Sequence, residues 1–401
     1  MADLHILSPQ GFKAAGVTAG IKASGKPDVA LLAADASVTA AALFTTNKVF
    51  AAPVAVGREH VRSGKLRAII VNSGNANACT GKQGLKDAKQ MCAETAKLLG
   101  AKPADVLPSS TGIIGHTLPM PKVLKGIRMC AGELGSSAEH ALAFNHAIMT
   151  TDAFRKHAAT TLKIGRELVT IAGVCKGAGM IGPRMGPPQA TMLAYLTTDI
   201  ATTSPGLQRL LIAAVGRSFN AVTVDDHTST NDTAVLLASG ASGATLNPTT
   251  SKKFLDALTD VCVSLAKQIA SDGEGATKVV KIVIRRAANE KAAQAIARAI
   301  ANSNLVKCAM HGNDPNWGRI VSAAGLAGVP FDPERSTLKL QSTTVFAKGT
   351  PVKFDAKKVS GALKQKEVEV DLDCRLGSGE TTLYTCDLSR EYVAINADYS
   401  T

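Results

Sequence analysis

Residues 68–71 form an unbroken apolar run that breaks off at Asn72, Ser73 and Gly74. A short apolar run bounded by turn residues reads as a buried strand entering a turn. Over residues 85–99 the period changes: apolar side chains fall at 85, 88, 91/92 and 98/99, and Gly100 follows. That spacing predicts an amphipathic helix with a glycine stop. Residues 254–269 repeat it, with apolar positions at 254, 258, 261/262, 265 and 269 before Asp272 and Gly273. A strand is expected over 279–284 and an alanine-rich helix over about 289–301. Val368, Val370, Leu372 and Cys374 alternate with acidic residues, which predicts a half-exposed strand. It is expected to pair as a hairpin with residues 382–388 through Gly377, Ser378 and Gly379. Helices and strands mix throughout, so the expected class is α/β or α+β, with a smaller C-terminal lobe from about residue 285 to 401.

Composition narrows the class. Hydrophobic residues make up 45% of 401 positions and charged residues 19%, enough to bury a large core. Aromatics are only 4%, so that core is expected to be built from Ala, Val, Leu and Ile. The net charge of +13 raises the question of nucleic acid, but the Lys and Arg are scattered. With one Trp and four Tyr there is no stacking platform for bases, so nucleic acid is not an expected partner. A positive field can instead gather a small anionic substrate. The eight cysteines show no CxxC spacing, and neither a zinc ribbon nor a redox pair is expected. The first residues lack a basic then apolar leader pattern, and no apolar run approaches the length of a membrane span. The expectation is a cytoplasmic protein without a membrane partner.

One segment carries candidate chemistry. Between Gly177 and Pro188 four glycines and three prolines crowd together, and an apolar run begins directly after Thr191. Such a segment continues neither a helix nor a regular ladder. Its bland reading is a surface loop before a buried strand. Its functional reading is a strained peptide with a hydroxyl at its exit. The Thr191 hydroxyl would attack the carbonyl of Ala190, the peptide would shift to an ester, and water would release a new N-terminus. The free α-amine, with an unperturbed pKa of about 7.7–8.0, would then be a base beside its own Oγ.

The stretch from Lys176 through Gly-Ala-Gly-Met-Ile181, followed by Ala190-Thr-Met-Leu-Ala194, resembles the self-processing signature of the ornithine acetyltransferase family, also called glutamate N-acetyltransferase. Further family-like blocks follow in order: Phe44-Thr-Thr-Asn47, Asn72-Ser-Gly-Asn-Ala-Asn77, Ser110-Thr-Gly-Ile-Ile-Gly115, Met149-Thr-Thr-Asp152, Ser229-Thr-Asn-Asp-Thr233, Gly273-Glu-Gly-Ala-Thr-Lys278, Asp314-Pro-Asn-Trp-Gly-Arg319, and the segment from Glu391 to Thr401. Together they span residues 44 to 401. One departure stands out: Lys176 lies fifteen residues before Thr191, so the loop is about four residues longer than the family pattern, which bears on the rate of self-cleavage.

The resemblance implies a self-cleaving α/β sandwich of the N-terminal-nucleophile type, shared with self-cleaving aminopeptidases. Residues 1–190 would become one subunit and 191–401 the other, assembled as an α2β2 heterotetramer. It implies Thr191 as nucleophile and Thr111 with Gly112 as the oxyanion hole, where a hydroxyl and a main-chain N–H face developing negative charge. It implies Thr150, Lys176, Thr191, Glu274, Asn396 and Thr401 as substrate contacts, with Thr151 adjacent to Thr150 and the register between them open. The implied reaction is transfer of acetyl from N2-acetylornithine to glutamate in cyclic arginine biosynthesis, by ping-pong chemistry through acetyl-Thr191. No metal, nucleotide or redox cofactor is implied. Neither a GxGxxG on a strand–helix turn nor a GxxxxGKS/T is present. Three rivals remain: a bifunctional enzyme that also takes acetyl from acetyl-CoA, a self-cleaving aminopeptidase of the same fold, and a basic non-enzymatic binding protein. Asp225, Asp226 and His227 read as a hydrogen-bonded turn rather than a metal site, His116 and His311 as structural, and Trp317 as a packing residue.

Overall fold

The computed structural model describes residues 4–182 and 192–398. They form helices layered on two sheets, an α/β architecture, divided into two compact units.

The first unit takes in the described residues 4–182, 192–220 and 227–265. Its eight strands are β1 (Phe12–Val17), β2 (Val29–Phe44), β3 (Lys65–Asn75), β4 (Val106–Ile113), β5 (Lys156–Ile164), β6 (Glu167–Lys176), β7 (Leu193–Thr198) and β8 (Thr233–Ala238). They run in the order β4-β3-β2-β8-β7-β6-β5, and β1 is added on β2. The helices are α1 (Ala52–His60), α2 (Gly81–Leu99), α3 (Met120–Gly132), α4 (Ala138–Ile148), α5 (Ser204–Gly216) and most of α6 (Pro248–Ser271). Residues alternate between faces along a strand, and β2 shows it. Val29, Leu31 and Ala33 pack with Met91 and Cys92 of α2 and Ile127 of α3. Ala30, Leu32 and Ala34 pack with Phe144 of α4 and with Tyr195 and Val235.

The predicted helix over 85–99 is α2, closed by Gly100 in the left-handed conformation at φ 63°. Its buried stripe differs from the expected one. Leu85 near its start and Leu98 in its last turn are exposed, and Ala88, Met91, Cys92, Thr95 and Ala96 carry the contact. The helix expected over 254–269 is α6, with Phe254, Leu258, Cys262, Leu265 and Ile269 fully buried.

The second unit takes in the described residues 221–226 and 266–398. It begins within α6 rather than near residue 285, because that helix runs through the border without a break. Its elements are β9 (Val279–Ala287), α7 (Glu290–Ala301), α8 (Asn304–His311), α9 (Trp317–Gly325), β10 (Thr337–Leu340), β11 (Thr343–Ala347), β12 (Thr350–Pro351), α10 (Ala356–Ala362), β13 (Glu367–Asp373), β14 (Gly379–Cys386) and α11 (Arg390–Asp398). The strand order is β12-β11-β10-β13-β9-β14. The alternating strand over 368–374 is β13, with Val368, Val370 and Leu372 buried. The expected hairpin is not made. β13 pairs in parallel with β9 and β14 pairs antiparallel with β9 on its other side. Inserting β9 gives both strands a buried apolar neighbour, which a two-stranded ribbon cannot supply. Trp317 stacks on Phe346 at 5.4 Å and packs against this unit's core, as expected of a packing residue.

All eight cysteines are unpaired, and only Cys79 and Cys308 are exposed. Among the described residues no helix is long and apolar enough to cross a membrane.

Candidate active site

Two strand ends build the centre of the site in the first unit. β4 ends in Thr111, Gly112 and Ile113, and β3 runs parallel beside it with Gly74 opposite Gly112. Gly112 has φ +134°, and a Cβ there would lie 2.3 Å from the main-chain carbon of Gly74. Only glycine fits both the conformation and the approach. Side chains brace the same edge. Ser110 Oγ donates to Asn72 Oδ1 at 2.6 Å, and Asn72 Nδ2 donates to the Asn75 carbonyl at 2.9 Å. Asn231 Nδ2 donates to the carbonyls of Ala76 and Ser110 at 2.6 and 2.8 Å. Neither Asn72 nor Asn231 is assigned by the sequence, although both lie in the quoted blocks.

β6 ends at Lys176, which faces Leu193 across the antiparallel β6–β7 ladder. Leu193 stands two positions after Thr191 in the chain. Lys176 Nζ donates to Thr111 Oγ1 at 3.2 Å, and both residues are buried. An ammonium has donors and no acceptor. The Thr111 hydroxyl therefore accepts from Lys176 and directs its own hydrogen elsewhere, and accepting from a cation makes it a stronger donor. A polarised hydroxyl beside a glycine edge can donate to a developing negative charge.

Thr150 follows α4, and its N–H donates to Asp152 Oδ2 at 2.9 Å. The other oxygen of Asp152 accepts from Lys156 Nζ and from the Gly177 N–H, each at 2.7 Å. Asp152 thus ties the Thr150 turn to the residue after Lys176. Burial by itself would raise the Asp152 pKa, but Lys176 and Lys156 outweigh it and hold the carboxyl well below the usual carboxylate range. The side chains of Asp152 and Lys156 are both fully buried. Sequence reading assigns Asp152 no role, yet it links the Thr150 turn to Gly177. The available signal was an acidic and a basic residue four apart at a helix–strand break.

In the second unit Asn396 Nδ2 donates to Glu274 Oε2 at 2.9 Å, so two of the expected substrate positions meet there. The turn bearing Glu274 is anchored by Asp387. That carboxylate accepts from the N–H groups of Thr277 and Lys278 at 2.8 and 3.1 Å and from Thr277 Oγ1 at 2.6 Å. His311 Nδ1 lies 2.7 Å from its Oδ2, so His311 has a partner 76 residues away that no local spacing reveals. Burial would raise the Asp387 pKa, but the hydrogen bonds from Thr277 and His311 bring it below its ordinary value. The Tyr392 phenol is pushed up, first by burial and then by the carboxylates of Asp225 and Glu274. Asp226 holds φ 58° and its N–H donates to Thr223 Oγ1 at 3.1 Å, the hydrogen-bonded turn expected for this stretch.

Thr111 and Lys176 therefore come together, Gly112 lies beside them, and Thr150 joins through Asp152; Glu274 and Asn396 meet separately in the second unit. Ala190, Thr191 and Thr401 lie outside the described residues. Among the described residues no group of three or more His, Cys, Asp or Glu side chains is placed to hold a metal.

The ArgJ family profile matches residues 13–401. The arginine biosynthesis bifunctional protein ArgJ of Rhodopirellula baltica is 45% identical over 402 residues, covering 99% of this chain and 97% of that protein. The protein of the same name from Symbiobacterium thermophilum is 46% identical over 401 residues, covering 99% and 98%. Among solved structures, the ornithine acetyltransferase complexed with ornithine from Mycobacterium tuberculosis is 37% identical, covering 46% of this chain and 98% of that chain, with a TM-score of 0.42. With a family match over nearly all of its residues and relatives aligned along their full length, this chain belongs to the ArgJ family.

Proposed function

We propose that this chain is an acetyltransferase of arginine biosynthesis that moves acetyl from N2-acetylornithine to glutamate through an ester on Thr191. The contact of Lys176, which faces Leu193 across the β6–β7 ladder, with Thr111 beside Gly112 is the observation that carries the reading. Its sequence context is the Ala190–Thr191 pair in a chain that belongs to the ArgJ family.

The chain first opens itself. Thr191 Oγ attacks the Ala190 carbonyl carbon, the C–N bond breaks as the ester forms, and water hydrolyses the ester. Residues 1–190 and 191–401 then form the two subunits of an α2β2 assembly. In the first half-reaction the Thr191 α-amine takes the hydroxyl proton while Oγ attacks the acetyl carbonyl of acetylornithine. Thr111 and Gly112 donate to the oxyanion. The amide C–N bond breaks and the leaving amine takes the proton back, so ornithine departs. Glutamate's amine then attacks the acetyl ester, giving N-acetylglutamate and free Thr191. Thr150, Lys176, Asn396 and Thr401 hold the substrates, and Glu274 faces the cationic end of ornithine. One amide replaces another, so no cofactor is required, and the enzyme works in the cytoplasm.

Intact-mass measurement tests this. Two chains beginning at Met1 and Thr191 are expected, with one acetyl added to the second after acetylornithine. Thr191→Ala should remain a single chain of 41.4 kDa and be inactive. An uncleaved wild-type chain with full activity would sink the proposal. The relatives' name, bifunctional protein, favours a second activity, acetylation of glutamate from acetyl-CoA. N-acetylglutamate formed from acetyl-CoA and glutamate alone would establish it, and no product would remove it.

A further inference from the structure

The segment 18–28, between β1 and β2, folds around the buried Asp28. Its carboxylate accepts the N–H groups of Ala19, Ile21 and Lys22 at 2.7, 2.5 and 3.1 Å, and its carbonyl accepts from Ser73 N–H at 2.9 Å. Lys22 does not bond that carboxylate through its ammonium. Nζ donates instead to two carbonyls, Pro27 at 2.6 Å and Met149 at 2.7 Å. Met149 immediately precedes Thr150. The stem of the same side chain lies over Gly74, where a Cβ would come 2.9 Å from Lys22 Cγ. Gly74 in turn is the close neighbour of Gly112. Ser73 reinforces the arrangement, because its Oγ donates to the Ala147 carbonyl at the end of α4 at 2.5 Å. Burial first of all, then Lys176 and Lys26, lower the Lys22 pKa to about 8 against the opposing pull of Asp28 and Asp152. A lysine held at some cost to its charge, with its ammonium on carbonyls, is placed for its geometry.

We propose that Lys22 is a positioning residue of the acyl-transfer site: its ammonium fixes the Met149 carbonyl and with it Thr150, while its stem seats Gly74 against Gly112, so the substrate turn and the oxyanion edge keep one spacing. This rests on the acyl-transfer reading above. A misplacement of about 1 Å at such a site costs on the order of 100-fold in rate.

The test compares full-length wild type, Lys22→Met and Lys22→Arg, with acetylornithine and glutamate as substrates and amide hydrogen exchange at Gly74 and Thr150 as a second readout. In Lys22→Met, kcat should fall about 10- to 100-fold with KM for both substrates within about threefold, and both amides should exchange faster. Lys22→Arg, which keeps donors for the carbonyls, should recover kcat to within about fivefold of wild type. Wild-type kcat and exchange in Lys22→Met would overturn the proposal. So would a rise in KM alone, which makes Lys22 a substrate-binding cation. If Lys22→Met does not fold, wild type and Lys22→Arg decide between them. Raising the pH through about 8 should speed Thr150 exchange, relative to its intrinsic rate, in wild type but not in Lys22→Arg, and equal behaviour would overturn the proposal. If wild type transfers no acetyl group, the acyl-transfer reading fails, while the exchange comparison still tests whether Lys22 positions the two loops.

Discussion

Carboxylate–cation pairs occur in both units, in opposite surroundings. In the first, Asp152 and Lys156 meet with both side chains fully buried, and the carboxylate also serves the N–H groups of Thr150 and Gly177. In the second, Lys281–Glu369, Arg285–Asp371 and Arg286–Asp373 run along β9 and β13, with much of each cation in solvent. The chemistry is the same and the consequence differs. Water competes with the ladder and salt screens it. At Asp152 water is excluded, so removing one member of the pair leaves the opposite charge in the interior with its main counter-charge gone. The pair on which the Thr150 turn depends is therefore the one that tolerates change least.

The largest effect is expected for Asp152→Asn, which should cost about 3–5 kcal/mol in urea unfolding and abolish most acetyl transfer. A cost comparable to that of a ladder pair would erase the contrast. Asp387→Asn sharpens it as an intermediate case, a buried carboxylate hydrogen-bonded mainly by neutral groups. It should cost about 1–3 kcal/mol, and under the role proposed for Glu274 the KM for acetylornithine should rise as that turn loses its anchor. Acid titration separates the two regions next. Asp152 has its folded pKa held below the unfolded value of about 3.9, so its contribution is complete above that value and is lost as the pH falls through it toward the folded value. One such group changes stability by at most about 1.4 kcal/mol per pH unit. Asp152→Asn should flatten the acid limb below pH ~4, and an unchanged limb would contradict the assignment. The smallest effect is expected for Arg286→Ala, a slight shift of the urea midpoint that vanishes in high salt; a shift as large as that of Asp387→Asn would mean that the ladder acts as a network.

Much of the scaffold was legible along the chain, because helices and strands bury one face at a fixed period. β3, α2, α6, α7 and β13 all lie where the pattern places them. Strand partners were not legible. The segment 377–379 looks like a hairpin turn, yet β9, about 100 residues earlier, separates the strands it would join. The site divides in the same way. The blocks around Thr111, Thr150, Lys176 and Glu274 stand out in the sequence, but Asp152 reads as the last letter of one of them and His311 as isolated. Lys22 sits in an unremarkable stretch of turn residues.

The sequence by itself determined the α/β character, the residue types for acyl chemistry and their order along the chain, since these follow from local period and from the motifs themselves. Only the tertiary structure decided that Lys176 reaches Thr111, that Asp152 joins two loops, and that Gly112 must be glycine because Gly74 lies against it. Those facts depend on strand order and loop contacts between residues tens of positions apart. Such contacts are set by which buried faces and main-chain partners the whole chain can satisfy at once.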